Sequence, residues 1–334
     1  MNKFLFFFTI VLLLFSCNPI NKITFSAHQA FDENELSDDL RLEFNGTASF
    51  YIQHKDRAVF TDPFMTNPSM KKVLFGKLQP DTSLLDSYQP KIKDVKMVAV
   101  GHAHYDHILD FPYFVDKLDN ETVVLGSENV VKQVQTLNTP FELVNAGEIK
   151  ANLFKAGTWV YAHDNSVRMM PIKSAHLPHI FGLHLYEGAY EEDTLASFPV
   201  KGKKFKQDET LAYLIDFLDK DLKPEKRIYF SSSAVASING LIPLEVLNEK
   251  EVDVAILSVA LVQNAKGYPE SIVKYIKPKE VIFCHWENFF RDRTKKLKPI
   301  SLTSFKEIFR DAKTLENYTK VHFVRPGNSI VFVE

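Results

Sequence analysis

From Leu40 onward the apolar residues fall into short runs separated by turn-forming pairs, and their spacing alternates between two periods. Residues 40–44, 49–53 and 58–61 read as successive short strands, with turns at Asn45-Gly46 and Lys55-Asp56. Residues 95–100 are apolar except for Lys96, the pattern of a strand buried on both faces. The spacing then becomes helical over 108–118 and again over 129–137. Further strands are predicted at 123–125, 159–162, 167–172, 182–186, 211–217, 227–231, 252–257, 280–284, 321–324 and 329–333, with helices at 271–276 and 302–311. No short-period repeat and no low-complexity tract interrupts this order. Strand-rich halves interspersed with helices predict two sheets packed together with helices outside.

The beginning of the chain follows another pattern. Lys3 precedes an almost wholly apolar run over residues 4–15. That is about a dozen residues where a bilayer span needs ~20, so it reads as the apolar part of an export signal. Leu14-Phe15-Ser16-Cys17 resembles the bacterial lipobox. The resemblance implies diacylglycerol on the Cys17 sulfur, cleavage before Cys17, and a protein held on the periplasmic face or the cell surface. Residues 18–39 mix Asn, Pro, Lys, Asp, Glu and Ser without period and are expected to form a flexible tether. The expected parts are a signal over 1–17, a tether over 18–39 and one domain over 40–334.

Composition narrows the possibilities further. Cys17 and Cys284 are the only cysteines, so a lipid on the first leaves one thiol and no intrachain disulfide. Cys284 is expected to be a small buried hydrophobe. With 45% hydrophobic residues, 28 of them Phe, the chain can stand on its core alone. A formal net charge of -2 offers no electrostatic basis for nucleic-acid binding. One stretch, 200–208, is conspicuously basic, with Lys201, Lys203, Lys204 and Lys206. It reads as a solvated hairpin tip or as a contact for anionic lipid headgroups.

The chemistry concentrates directly after the strand at 95–100, in Gly101-His102-Ala103-His104-Tyr105-Asp106-His107. Four potential metal ligands fall within six residues, and three of the chain's 11 His are among them. In a loop leaving a strand, His102 and His104 can turn to one side and grip one ion. Asp106 and His107, at the start of a helix, can reach a second. Imidazole and carboxylate are the ligands zinc takes where a coordination position must stay open.

This run resembles the metallo-β-lactamase superfamily, whose hallmark is His-x-His-x-Asp-His after a strand, and the similarity extends over nearly all of 40–334. It is most similar to the branch containing N-acyl-phosphatidylethanolamine phospholipase D and the ascorbate-phosphate lactonase. The residues that carry this are Phe44-Asn45-Gly46-Thr47-Ala48-Ser49-Phe50 and Thr61-Asp62-Pro63-Phe64. The resemblance implies an αββα sandwich of two mixed sheets flanked by helices, with the metals at the sheet edge. It implies zinc, one or two ions, with His102, His104 and His176 around the first. His179, three residues on, competes with His176 for the third place. Asp106, His107 and His285 would hold the second ion. Asp62 would accept a hydrogen bond from a ligand imidazole, or serve as a turn-initiating residue before Pro63.

The family pattern breaks at two places. An Asp that bridges both metals is expected after the strand at 227–231, where Ser231-Ser232-Ser233-Ala234 stands instead, with Ser233 at the bridging position. A neutral hydroxyl is a poorer ligand, so the second ion is expected to be the weaker. No Arg follows the third ligand at the distance the relatives show, which argues against phosphate recognition of their kind. His179 and His184 are candidates for a proton donor or for structural roles. The expectation is a zinc-dependent hydrolase acting on an ester, lactone, amide or phosphodiester of a small-molecule or lipid-derived substrate, with Asp106 orienting or deprotonating the nucleophile. The alternative is an envelope lipoprotein that keeps the fold and binds metal or ligand with impaired catalysis.

Overall fold

The computed structural model describes residues 19–178, 184–235 and 238–333. Cys17 and His179 therefore lie outside the described residues. Two seven-stranded sheets are formed among the described residues. The first takes β1 (Leu40–Gly46), β2 (Ser49–His54), β3 (Arg57–Thr61), β4 (Val95–Ala99), β5 (Val123–Gly126) and β6 (Glu142–Asn145). The second takes β7 (Val160–Tyr161), β8 (Val167–Lys173), β9 (Leu211–Leu218), β10 (Pro224–Ser231), β11 (Val254–Ser258), β12 (Glu280–Cys284) and β13 (Lys320–Phe323). The last strand, β14 (Asn328–Phe332), returns to the first sheet beside β1.

The strand orders are β14-β1-β2-β3-β4-β5-β6 and β13-β12-β11-β10-β9-β8-β7. Each sheet is antiparallel in one half and parallel in the other. β3 to β6 run parallel in the first, and β10 to β13 in the second. The helices are short: α1 (Met70–Phe75), α2 (Thr82–Tyr88), α3 (Tyr105–Ile108), α4 (Phe111–Phe114), α5 (Glu128–Gln135), α6 (Leu244–Glu249), α7 (Glu270–Ile276) and α8 (Phe305–Leu315). One apolar core lies between the sheets and gathers Phe44, Phe50, Tyr213, Phe230 and Trp286. A second, with Phe60, Phe64, Phe111 and Phe114, lies on the outer face of the first sheet. This is the αββα sandwich of two mixed sheets that the pattern of elements predicts.

Several segments depart from expectation for physical reasons. The helix expected over 108–118 is two four-residue turns, α3 and α4. Pro112 sits in the first turn of α4, where a missing N–H is tolerated. The Asp110 carboxylate is drawn away to accept from the N–H groups of Met65 and Thr66. Residues 184–186, expected as part of a strand, have none, while residues 182 and 183 lie outside the described residues.

The stretch expected as a flexible tether is laid along the open edge between β13 and β14 from Pro19 onward. Ser26 donates to the Phe323 carbonyl and Gln29 to that of Ser329, at 2.9 and 3.0 Å. Ile20, Ile23 and Phe31 are buried. These three apolar side chains lack a regular spacing, so no periodicity marks them, but the edge of the sandwich offers each an apolar surface.

Candidate metal centre

The carboxyl ends of β3, β4, β8, β10 and β12 meet at one edge of the sandwich, and the loops leaving them carry the chemical groups. β4 runs into Gly101 and His102, and β12 into His285. Two backbone hydrogen bonds join the sheets here, from Leu211 N–H to the Gly101 carbonyl at 2.8 Å and from His285 N–H to the Thr47 carbonyl at 2.7 Å. The second needs the tight β1–β2 turn, in which Gly46 has φ +111° and Thr47 φ 55°. Glycine adopts such a value without a Cβ penalty.

Two groups of three residues that could hold a metal ion assemble, His102 with His104 and His176, and Asp106 with His107 and His285. Within each group the ligand atoms lie within 4.8 Å of one another. The groups adjoin, because the rings of His102 and His107 stand 3.9 Å apart between centroids. Nε2 of His107 and Nε2 of His285 approach Asp106 Oδ2 to 3.6 and 3.5 Å. Four of the six residues come from one loop. His176 and His285 are brought in from the ends of two strands of the other sheet.

Neighbouring acceptors set which imidazole nitrogen faces the centre. His107 donates Nδ1–H to Asp62 Oδ2 at 2.7 Å. His176 donates Nδ1–H to the Leu177 carbonyl at 2.7 Å, and His104 Nε2 stands 3.2 Å from the Leu185 carbonyl. The remaining nitrogen of each ring is thereby turned to the centre with its lone pair available. His102 Nδ1 lies 3.4 Å from the Ser232 hydroxyl, while its Nε2 is buried without a hydrogen-bond partner among the described residues. A buried imidazole nitrogen with no partner is costly, and a cation removes that cost. The donor set and this orphaned atom fit a divalent metal ion of the zinc type.

The electrostatics agree with a centre built for positive charge. Burial and the imidazoles of His107, His104 and His176 push His102 well below the usual histidine range, so the ring is neutral as a ligand must be. Burial alone would raise Asp106, but His107, the hydrogen bond from His285 and the charge near His104 outweigh it and hold the carboxyl below the carboxylate range. His107 is lowered by burial and raised more strongly by Asp106 and Asp62.

Asp62 is fully buried at the carboxyl end of β3, with φ 38°, and its second oxygen accepts from Gly101 N–H at 2.7 Å. His285 has φ 59°. Both are left-handed residues without glycine's freedom, a form of local strain that concentrates at functional positions.

Ser233, taken from sequence as the bridging position, turns its hydroxyl to the Ala234 carbonyl at 3.3 Å. Its neighbour Ser232 is the hydroxyl against His102. The carbonyls of Leu177 and Leu185, which orient two ligands, carry no side-chain signal and were not anticipated. His184 pairs with Glu187 at 2.6 Å and is partly exposed. Cys284 is buried in β12, its thiol pushed up by burial, as expected of a packing residue. Tyr105, Phe289 and Phe290 wall the centre, Phe289 lying 4.9 Å from His285 between ring centroids.

Residues 42–150 match the family model of the Metallo-beta-lactamase superfamily. A Mycoplasma pneumoniae protein described as an uncharacterised lipoprotein is 26% identical over 171 residues, 43% of this chain and 38% of that protein. The chain thus spans well under half the length of that relative. Igni18, a metallo hydrolase from the hyperthermophilic archaeon Ignicoccus hospitalis, superposes with a TM-score of 0.55 at 14% identity, over 89% of this chain and 99% of that one. An isothiocyanate hydrolase from Delia radicum gut bacteria gives 0.50 at 12% identity, over 88% and 100%. At these identities the structural likeness is one of fold. No helix of the described residues is long and apolar enough to cross a membrane.

Proposed function

We propose that this chain is a metallo-β-lactamase superfamily hydrolase that holds two zinc ions and cleaves an ester, lactone, amide or phosphodiester, a reading supported by the family match over residues 42–150. The observation that carries the reading is the pair of adjoining three-residue groups at one sheet edge. His102, His104 and His176 would hold one ion, and Asp106, His107 and His285 the other. Zinc so held supplies a Lewis acid and lowers the pKa of bound water towards ~7.

The chain's own residues do the rest. Asp62 and the carbonyls of Leu177 and Leu185 fix the tautomers and orientations of His107, His176 and His104. Asp106, held ionised, would hold the second ion with His107 and His285 and orient the attacking water. Tyr105 and Phe289 exclude bulk solvent on one side, which strengthens each of these interactions. Within the superfamily we assign the chain to the branch of N-acyl-phosphatidylethanolamine phospholipase D and the ascorbate-phosphate lactonase, on the Gly46 turn and Asp62.

The test joins metal content to activity. Purified protein should bind two zinc ions per chain and hydrolyse at least one member of an ester, lactone, amide and phosphodiester panel. His104→Ala should remove one ion and abolish turnover while the protein stays folded. Wild-type activity in His104→Ala would refute the mechanism.

The proposal extends to location. Cys17 carries diacylglycerol and tethers the exported protein to a bacterial membrane, a reading supported by the Leu14-Phe15-Ser16-Cys17 run. Detergent-phase partitioning of the processed protein should be lost in Cys17→Ser.

A further inference from the structure

A second surface lies beside the metal centre and takes no part in it. α1 is capped by Ser69, whose hydroxyl accepts from Lys72 N–H, and it buries only Val73. Met70, Leu74 and Phe75 are left 43%, 51% and 82% exposed. The lysine-rich loop around 200–206 is fastened against this helix. Leu78 N–H donates to the Val200 carbonyl at 2.8 Å. Gly202 lies so close to the Val73 carbonyl that a Cβ there would come within 2.6 Å of it. Val200, 46% exposed, thereby joins the apolar group.

Lys71, Lys72, Lys77, Lys201, Lys203 and Lys204 surround these four side chains, and all six are exposed. None forms an ion pair with an acid among the described residues. Single exposed apolar residues are ordinary on a protein surface, but a contiguous group with an unpaired cationic rim is not.

We propose that this surface docks onto an anionic lipid bilayer. Phe75, Leu74, Met70 and Val200 enter the boundary of the acyl chains, and the six ammonium groups meet headgroup phosphates while their aliphatic stems cover the apolar rim. Charge favours this occupant over a second copy of the chain, since two such faces would repel one another. The surface adjoins the mouth of the metal centre. Phe205, next to Lys204, packs 6.4 Å from the Tyr105 ring, and Tyr105 directly precedes Asp106. Docking therefore holds that mouth at headgroup level. The inference depends neither on a lipid at Cys17 nor on the identity of the metal.

The experiment places a Phe75→Trp substitution in the full chain, reconstituted into vesicles of phosphatidylcholine alone or mixed with phosphatidylglycerol. The parent chain, with Trp159 and Trp286, supplies the background. In mixed vesicles the added emission should shift to the blue and be quenched by lipids brominated along the acyl chain. Quenching should be severalfold weaker in phosphatidylcholine alone and should fall as salt rises. Adding Lys71→Glu, Lys72→Glu, Lys201→Glu and Lys203→Glu should remove it with the thermal unfolding profile unchanged. Water-like emission in both vesicle types would overturn the proposal. So would quenching indifferent to both phosphatidylglycerol and salt, or a blue shift without lipid that tracks concentration-dependent dimerisation in sedimentation.

Discussion

His107 Nδ1 and Asp62 Oδ2 stand 2.7 Å apart in a fully buried pair, and the other Asp62 oxygen takes the Gly101 N–H at the same distance. One carboxylate thus orients a ligand imidazole and pins the start of the loop that carries four of the six ligands. Asparagine cannot do both. Turning its oxygen to His107 leaves its amide N–H₂ facing the Gly101 N–H, donor against donor. Asp62→Asn should weaken binding of the ion at Asp106, His107 and His285 by about 10- to 100-fold, with a smaller effect at the other group. Competition with a chromophoric chelator measures both constants.

Gly101 is required by close approach rather than by an unusual φ. A Cβ at this position would fall 2.0 Å from the Ser232 hydroxyl and 2.7 Å from its Cβ. Gly101→Ala should cost about 1–3 kcal/mol as the loop is displaced. Combining it with Ser232→Gly should recover most of the loss. Urea unfolding of the two single variants and the double variant gives the coupling, and additivity would sink this account.

Outside the candidate metal centre, Asp216 is buried between two guanidinium groups. Its oxygens accept from Arg227 Nε at 2.6 Å, Arg227 Nη2 at 2.8 Å and Arg168 Nε at 2.9 Å. Arg227 is itself fully buried. Asp216→Ala leaves both cations with the partly exposed Glu249 as their remaining shared carboxylate and should destabilise the fold by about 3 kcal/mol. A shift in the urea midpoint with an unchanged slope would report it.

His54 predicts an acid-side loss of stability. Burial pushes this imidazole below its ordinary value of 6.5, with Arg57 adding to the effect and Asp39 and Glu225 opposing it. As pH falls through that value, the unfolded chain takes up a proton that the folded chain does not. Stability then declines until pH passes the folded value, at no more than about 1.4 kcal/mol per pH unit for this one proton. His54→Gln removes the increment. The difference in urea midpoint between about pH 7.5 and pH 5.5 should be smaller in the variant than in the parent.

The loop after β4 stands out in the sequence because its chemistry is local: four potential ligands fall within six residues directly after one buried strand. His176 and His285 were reached only through resemblance to a family, since 69 and 178 residues separate them from His107 (176 − 107 and 285 − 107). Ser232 faces His102 and Ser233 turns to the Ala234 carbonyl, just beyond the last paired residue of β10, Ser231, where neither strand register nor any local pattern marks which hydroxyl meets the imidazole. α1 is not marked along the chain for a different reason: Met70, Val73 and Leu74 have helical spacing, but six residues are too short a window for the period to stand out.

Periodicity and adjacency act between near neighbours, so the strand-rich layering, the buried β4 and the four potential ligands that leave it can be read along the chain. Packing alone selects the strap of residues 19–39 along the edge of the sandwich, the Leu177 and Leu185 carbonyls against their imidazoles, and the meeting of α1 with the lysine loop. Each of those relationships joins segments through backbone groups or buried apolar surface, which every residue offers alike and which only packing can select.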